Sequence, residues 1–222
     1  MTLIYEIYFN KAVAMLFIFN FYAFFCAIKT GKVMKKIVVF ASGSGTNAEN
    51  IIKYFAKTKI GTVEAVFTNN QSAAVIEKAK NYGIPTISFS KEQLNESFVL
   101  QKINELRPDL IVLAGFLLKF PENIIAAYPD KIINIHPALL PKYGGKGMYG
   151  MYIHRAIVGN KEVETGITIH FVDENYDEGN IIFQKKIALS GDETPEEVAG
   201  KIHQLEQKYF PQVIEKLLKK LL

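Results

Sequence analysis

The sequence predicts an α/β protein: a single doubly wound, mostly parallel sheet with helices on both faces. Three observations point there. From Lys35 onward, short apolar runs alternate with stretches whose apolar residues recur at helical spacing. The runs "KIVVFAS" and "DLIVLAGF" are continuously apolar, the pattern of parallel strands covered on both sides. The connections between strand and helix patterns are short, as repeated β-α-β units require.

In chain order, "KIVVFAS" opens the sheet as a buried strand. "NAENIIKYFAK" follows with Ile51, Ile52 and Phe55 on one helix face. "TVEAVFTN" is a strand, "SAAVIEKAKNYG" a helix stopped by Gly83, and "PTISF" a short strand. A helix is expected from Asn95 to Leu106, ahead of Pro108, and then the strand "DLIVLAGF". "PENIIAAY" makes a short helix with Pro121 at its start, and "IINIH" the next strand. "GITIHFV" alternates as a half-buried strand does, and "NIIFQKKIAL" continues as a strand antiparallel to a neighbour. In the closing stretch, Thr194, Pro195 and Glu197 form a capping box with Pro at the first helical position. Pro211 is expected to kink or break that helix.

At 222 residues the chain is long enough for one domain with a full core. Its net charge is +4, and only +2 without residues 1–33, which carry three lysines and one acid. No Lys/Arg cluster tracks a phosphate backbone, so small-molecule partners are expected and nucleic acid is not. Cys26 is the only cysteine, which precludes an intrachain disulfide and a cysteine zinc site and fits a cytoplasmic location. Residues 1–33 differ from the rest. Ala12 to Ile28 is uncharged, aromatic-rich and flanked by Lys11 and Lys29. At ~1.5 Å per helical residue it reaches the lower limit for a bilayer crossing, so residues 12–28 are the one candidate membrane contact. The reading adopted is that translation starts at Met34, with 1–33 a hydrophobic N-terminal extension and 34–222 the functional domain.

"FASGSGTNAENI" joins the first strand to the first helix. Gly43 and Gly45 permit tight backbone, and their amides, with Ser44, Thr46 and Asn47, suit an anion at a helix N-terminus. The third glycine of a dinucleotide fingerprint and the lysine of a P-loop are missing, so a single phosphate fits best. In "IINIHP", period-two alternation puts Asn134 and His136 on one side, and Pro137 stops the strand there. Both polar groups then lie at a carboxyl strand end, where open sheets bind ligands. A neutral amide beside an imidazole is a donor set for an oxyanion. A carboxylate is expected to hold that imidazole's tautomer and raise its pKa. "FVDENYDEGNII" offers Asp173, Glu174, Asp177 and Glu178, and spacing does not choose among them.

"NIHPALLPKY", "SGSGTN", "LAGF" and "GITIHFVDENYDEGNII" together resemble the folate-dependent formyltransferases, over the chain from about Met34 to the final helix. The resemblance implies that family's Rossmann-like fold. It also implies transfer of a formyl group from 10-formyltetrahydrofolate to the glycinamide amine of a ribonucleotide, a step of purine synthesis, with no metal. By resemblance, Asn134 is the catalytic amide, His136 the general acid and Asp177 the carboxylate beside it. Gly45, Thr46 and Asn47 would grip the substrate phosphate, and His203 and Glu206 the ribose and glycinamide part. Leu117, Leu118, Lys119 and Phe120 would line the folate pocket, with Asp173, Glu174, Asn175, Tyr176 and Asp177 in the loop closing over it. A monomer or homodimer is expected. The alternatives are a methionyl-tRNA or other folate-dependent formyltransferase or hydrolase, and a non-catalytic sugar-phosphate or folate-binding module. The segment "GGKGMYGMYIHR" is longer and richer in glycine than the family pattern and reads as a loop insertion without a role of its own; His154 within it corresponds to a family histidine near the site.

Overall fold

The computed structural model describes residues 34–221; the extension 1–33, and with it Cys26, lies outside the described residues. In chain order the elements are β1 (Lys35–Phe40), α1 (Thr46–Thr58), β2 (Gly61–Thr68), α2 (Val75–Lys80), β3 (Thr86–Ser88), α3 (Lys91–Asn95), α4 (Ser97–Leu106) and β4 (Leu110–Leu113). Then come α5 (Glu122–Ala127), β5 (Ile132–His136), α6 (Met151–Gly159), β6 (Glu164–Phe171), β7 (Ile181–Ala188) and α7 (Pro195–Lys220). The strands form one sheet in the order β3-β2-β1-β4-β5-β6-β7. Pairing is parallel from β3 through β5, and antiparallel at β5–β6 and β6–β7.

β1 explains the two-sided burial. Ile37 and Val39 pack on one face against Ile51 and Phe55 of α1 and Ile202, Phe210 and Ile214 of α7. Val38 and Phe40 pack on the other against Leu94, Val99, Ile103 and Ile124 from α3, α4 and α5. All four strand residues are fully buried, each worth about 1.5–3 kcal/mol in transfer terms, which is why the run shows no polar alternation. Phe40 also stacks on Phe67 at 4.8 Å and meets Phe120 edge-on at 5.1 Å, fixing the end of the connection between β4 and α5.

Three expectations change. The helix expected from Asn95 to Leu106 is two helices, because Glu96 is extended and Ser90, boxed with Gln93, starts α3 earlier. α6 was not expected; Ile153 and Ile157, one turn apart, bury its inner face against Ala138. α7 is not broken at Pro211. Proline removes the amide that would reach the Gln207 carbonyl, and the Asn50 side chain supplies a replacement donor at 2.7 Å. The missing bond thus becomes a tie between α1 and α7.

Candidate active site

The strand order reverses at β1, which lies between β2 and β4, so loops from the carboxyl ends of neighbouring strands diverge there. A cavity of about 780 Å³ opens at that edge. Its walls are the loop after β1, the segment after β4, the end of β5, residues 145–151, the loop after β6, and one face of α7.

Asn134 and His136 leave the same side of β5, as their spacing predicts, and both line the cavity. Asp177 comes from the β6–β7 connection and meets both: Asn134 Nδ2 lies 3.5 Å from Oδ1, and His136 Nδ1 lies 3.5 Å from Oδ2. Asp177 has φ 58°, a left-handed backbone rare outside glycine, and the Gly145 amide donates to its Oδ2 at 3.0 Å. The remaining nitrogen of His136, Nε2, lies 2.8 Å from the Tyr143 carbonyl oxygen. A carbonyl only accepts, so Nε2 carries the hydrogen. Burial pushes the imidazole below its ordinary value; the Asp177 carboxylate and the Tyr143 carbonyl pull it up without prevailing. The expected rise in the histidine pKa is therefore corrected: the carboxylate's pull is present, but desolvation of a ring only 3 % exposed outweighs it. For Asp177 burial acts upward, and His170, the His136 charge and the Gly145 amide together hold it below the usual carboxylate range.

His170 is a cavity residue that the sequence reading passed over. It pairs across the sheet with Asn134. Its Nδ1 donates to the Phe171 carbonyl at 2.8 Å, leaving Nε2 to accept from Asn134 Nδ2 at 3.1 Å. The signal was available: in "GITIHFV" the same alternation that buries Ile167 and Ile169 sends Thr168 and His170 to the other side. Thr168 holds the turn after His136, donating to the Ala138 carbonyl at 2.7 Å and accepting from the Leu140 amide at 3.0 Å.

In the loop after β1, Gly45 sits at the N-cap of α1 with φ 67°. A Cβ there would lie 2.3 Å from the Val75 side chain, so both conformation and space demand glycine. Gly45, Thr46 and Asn47 line the cavity. The Asn47 side chain is not a free donor as expected, however. Its Nδ2 donates to Glu206 Oε2 at 2.9 Å and its Oδ1 accepts from Gln207 at 2.8 Å. His203 Nδ1 lies 3.5 Å from the same Glu206 oxygen, and that partner raises the His203 pKa. The loop is left with backbone amides and the Ser44 and Thr46 hydroxyls for an anion.

Leu117, Leu118, Lys119 and Phe120 all border the cavity, with the Leu117 amide fixed on Ser42 Oγ at 3.0 Å. Phe120 is also core, 4 % exposed. Asp173, Asn175, Tyr176 and Asp177 line the facing wall, but Glu174 does not. The Asn175 amide donates to Asp173 Oδ1 at 3.0 Å, closing a tight turn whose outer position exposes Glu174. The glycine-rich segment is not a loop without a role: Gly145 to Met151 and His154 form a wall of the cavity, and Tyr143 and Gly145 bond to His136 and Asp177. Among the described residues, no group of three or more His, Cys, Asp or Glu side chains is arranged to hold a metal, and no helix is long and apolar enough to cross a membrane.

Known proteins are similar to this chain in sequence and in fold. A phosphoribosylglycinamide formyltransferase of Bacillus subtilis is 35 % identical over 191 residues, 83 % of this chain and 95 % of that protein. The chloroplastic phosphoribosylglycinamide formyltransferase of Vigna unguiculata is 36 % identical over 82 % of this chain, and the chain spans 61 % of that relative's length. A crystal structure of phosphoribosylglycinamide formyltransferase from Bacillus halodurans superposes with a TM-score of 0.76 at 33 % identity, covering 85 % of this chain and 97 % of that one. Residues 35–214, which hold every candidate site residue, match the family described as formyl transferase. The chain belongs to the formyl transferase family.

Proposed function

We propose that this protein transfers a formyl group from 10-formyltetrahydrofolate to the amine of 5-phosphoribosylglycinamide in de novo purine biosynthesis. One observation carries the reading: Asn134, His136 and Asp177 meet on the same cavity onto which the glycine loop presents its helix N-terminus. Its volume of about 780 Å³ suits a pterin ring beside a ribonucleotide, and the apolar Leu117, Leu118 and Val172 give the ring a wall. The formyltetrahydrofolate supplies an activated formyl carbon. The loop amides at Gly45 to Asn47 hold the phosphate, and Glu206 and His203 face the ribose and glycinamide end.

The residues then divide the chemistry. Asn134 Nδ2 has one hydrogen on His170 and a second directed to Asp177 Oδ1 over a long Nδ2–Oδ1 distance of 3.5 Å, so that it is loosely held. That second hydrogen meets the negative charge growing on the formyl oxygen, a contribution of about 10²–10³ in rate for one donor. His136 rests neutral because burial disfavours its charge, with Nδ1 bare. It accepts the proton of the attacking amine at Nδ1, where Asp177 steadies the imidazolium, and returns it to the departing nitrogen, so that it acts as the general acid of the second half-step. We place this activity in residues 34–222, with 1–33 as an extension outside it, since the family match begins at residue 35. A cytoplasmic location is supported by the single cysteine.

The test is an absorbance assay of formyl transfer with glycinamide ribonucleotide, run beside a formyl-accepting methionyl-tRNA. Turnover with the ribonucleotide alone is expected. Transfer to tRNA, or to neither acceptor, defeats the assignment.

A further inference from the structure

Tyr143 lies outside every element, yet its main chain and side chain are each engaged. Its backbone is left-handed, φ 59°, at a residue with a bulky ring. Its carbonyl faces His136 Nε2 at 2.8 Å. Its hydroxyl donates to Glu162 Oε1 at 2.9 Å and accepts from Asn160 Nδ2 at 2.9 Å, both in the turn between α6 and β6. Two residues on, the Gly145 amide holds Asp177. One short segment thus presents a carbonyl to the imidazole and an amide to the carboxylate.

We propose that Tyr143 is a positioning residue: its ring, clamped at the hydroxyl by Asn160 and Glu162, holds the left-handed backbone that aims its carbonyl at His136 and so keeps the hydrogen on Nε2 and Nδ1 bare. Among the described residues, the Tyr143 carbonyl is the hydrogen-bond partner of Nε2. The charged and titratable groups facing His136 are Asp177, His170 and Glu206. Asp177 attracts a hydrogen to Nδ1, so without the carbonyl the ring would turn to the opposite tautomer and lose its proton acceptor. A tyrosine is needed rather than any aromatic ring, since only a hydroxyl both donates to Glu162 and accepts from Asn160. The inference rests on the reading of His136 given above, but the tautomer itself is measured without substrate.

The experiment is imidazole ¹⁵N NMR of the full chain carrying labelled histidine, paired with pH–rate profiles of formyl transfer. Wild type should show His136 with hydrogen on Nε2. Tyr143→Phe should show hydrogen on Nδ1 in a substantial fraction. It should also show a His136 titration moved down by roughly 0.5 pH or more, because a carbonyl that favours the charged ring has withdrawn. The rate constant kcat should fall roughly 5–20-fold with KM within about twofold. Asn160→Ala removes one of the two clamps without changing charge and should shift both readouts the same way by less. If Tyr143→Phe does not fold, Asn160→Ala decides alone. A wild-type tautomer and titration in these variants overturns the proposal. A wild-type enzyme that transfers no formyl group overturns the functional reading instead, leaving the tautomer result to stand by itself.

Discussion

Two of the three central side chains follow from sequence because they sit on a strand. Period-two alternation and a terminating proline are local rules, and they suffice to send Asn134 and His136 to one cavity. Asp177 follows no such rule. It lies in a loop with three other acids, and its reach to His136 depends on a left-handed backbone and on the turn at Asp173 that exposes Glu174. The sign of the histidine shift was illegible for a similar reason. A carboxylate neighbour can be guessed from composition, whereas the degree of burial that outweighs it exists only in the assembled fold. This gives a prediction with a definite sign. In Asp177→Asn the charge that favours imidazolium is gone, while an amide oxygen can still accept from Gly145. Desolvation then acts with less opposition, so the His136 pKa, already below about 6.5, falls further. Histidine NMR titration should record that fall, and formyl transfer should drop by about 10²-fold or more as the imidazolium loses its partner. A titration that stays put or rises in the variant contradicts the balance of forces described here.

Among the elements, the strands and most of the helices were legible, and the misses have separate causes. α6 begins after Gly150 at the end of a glycine-rich run, and its two inward isoleucines make too short a periodic signal to stand out. α7 persists through Pro211 because a side chain 157 residues away repairs the ladder, Asn50 Nδ2 donating to the Gln207 carbonyl. Asn50→Ala should therefore cost more than an ordinary helix-surface change. It strands the Gln207 carbonyl, worth about 1–2 kcal/mol, or roughly 3–6 °C in thermal midpoint for a domain of this size. Restoring the amide by Pro211→Ala in the same chain supplies the helix's own donor, so the double variant should recover part of that loss. Calorimetry of the two single variants and the double one measures the coupling. Strict additivity would mean that Asn50 does not stand in for the missing amide.

At the scale of the whole molecule, the doubly wound architecture was the most legible feature, since it needs only the alternation of continuous apolar runs with amphipathic helices. The antiparallel pairing of β7 was expected; what the pattern could not specify was that β6 pairs antiparallel with β5 and so brings His170 and the Asp177 loop beside it, which completes the site. The same architecture bears on residues 1–33. Strand β1 is anchored at its first residues from within the domain: the Lys35 amide donates to the Ile60 carbonyl at 3.0 Å, the Lys36 amide to Asp109 Oδ2 at 2.9 Å, and Lys35 Nζ lies 3.3 Å from Asp109 Oδ1. Its two faces find their partners in α1 and α7 on one side and α3 to α5 on the other, all between Thr46 and Lys220. A polypeptide spanning Met34 to Leu222 should accordingly be monodisperse, melt within about 2 °C of the full chain, and transfer formyl groups at the full-length rate. The full chain, which adds the uncharged, aromatic-rich Ala12 to Ile28, should be the form that binds detergent or partitions to membranes. Size-exclusion chromatography, thermal melting and turnover of the two polypeptides side by side decide it. If the shorter one precipitates while the longer stays in solution, residues 1–33 are part of the fold.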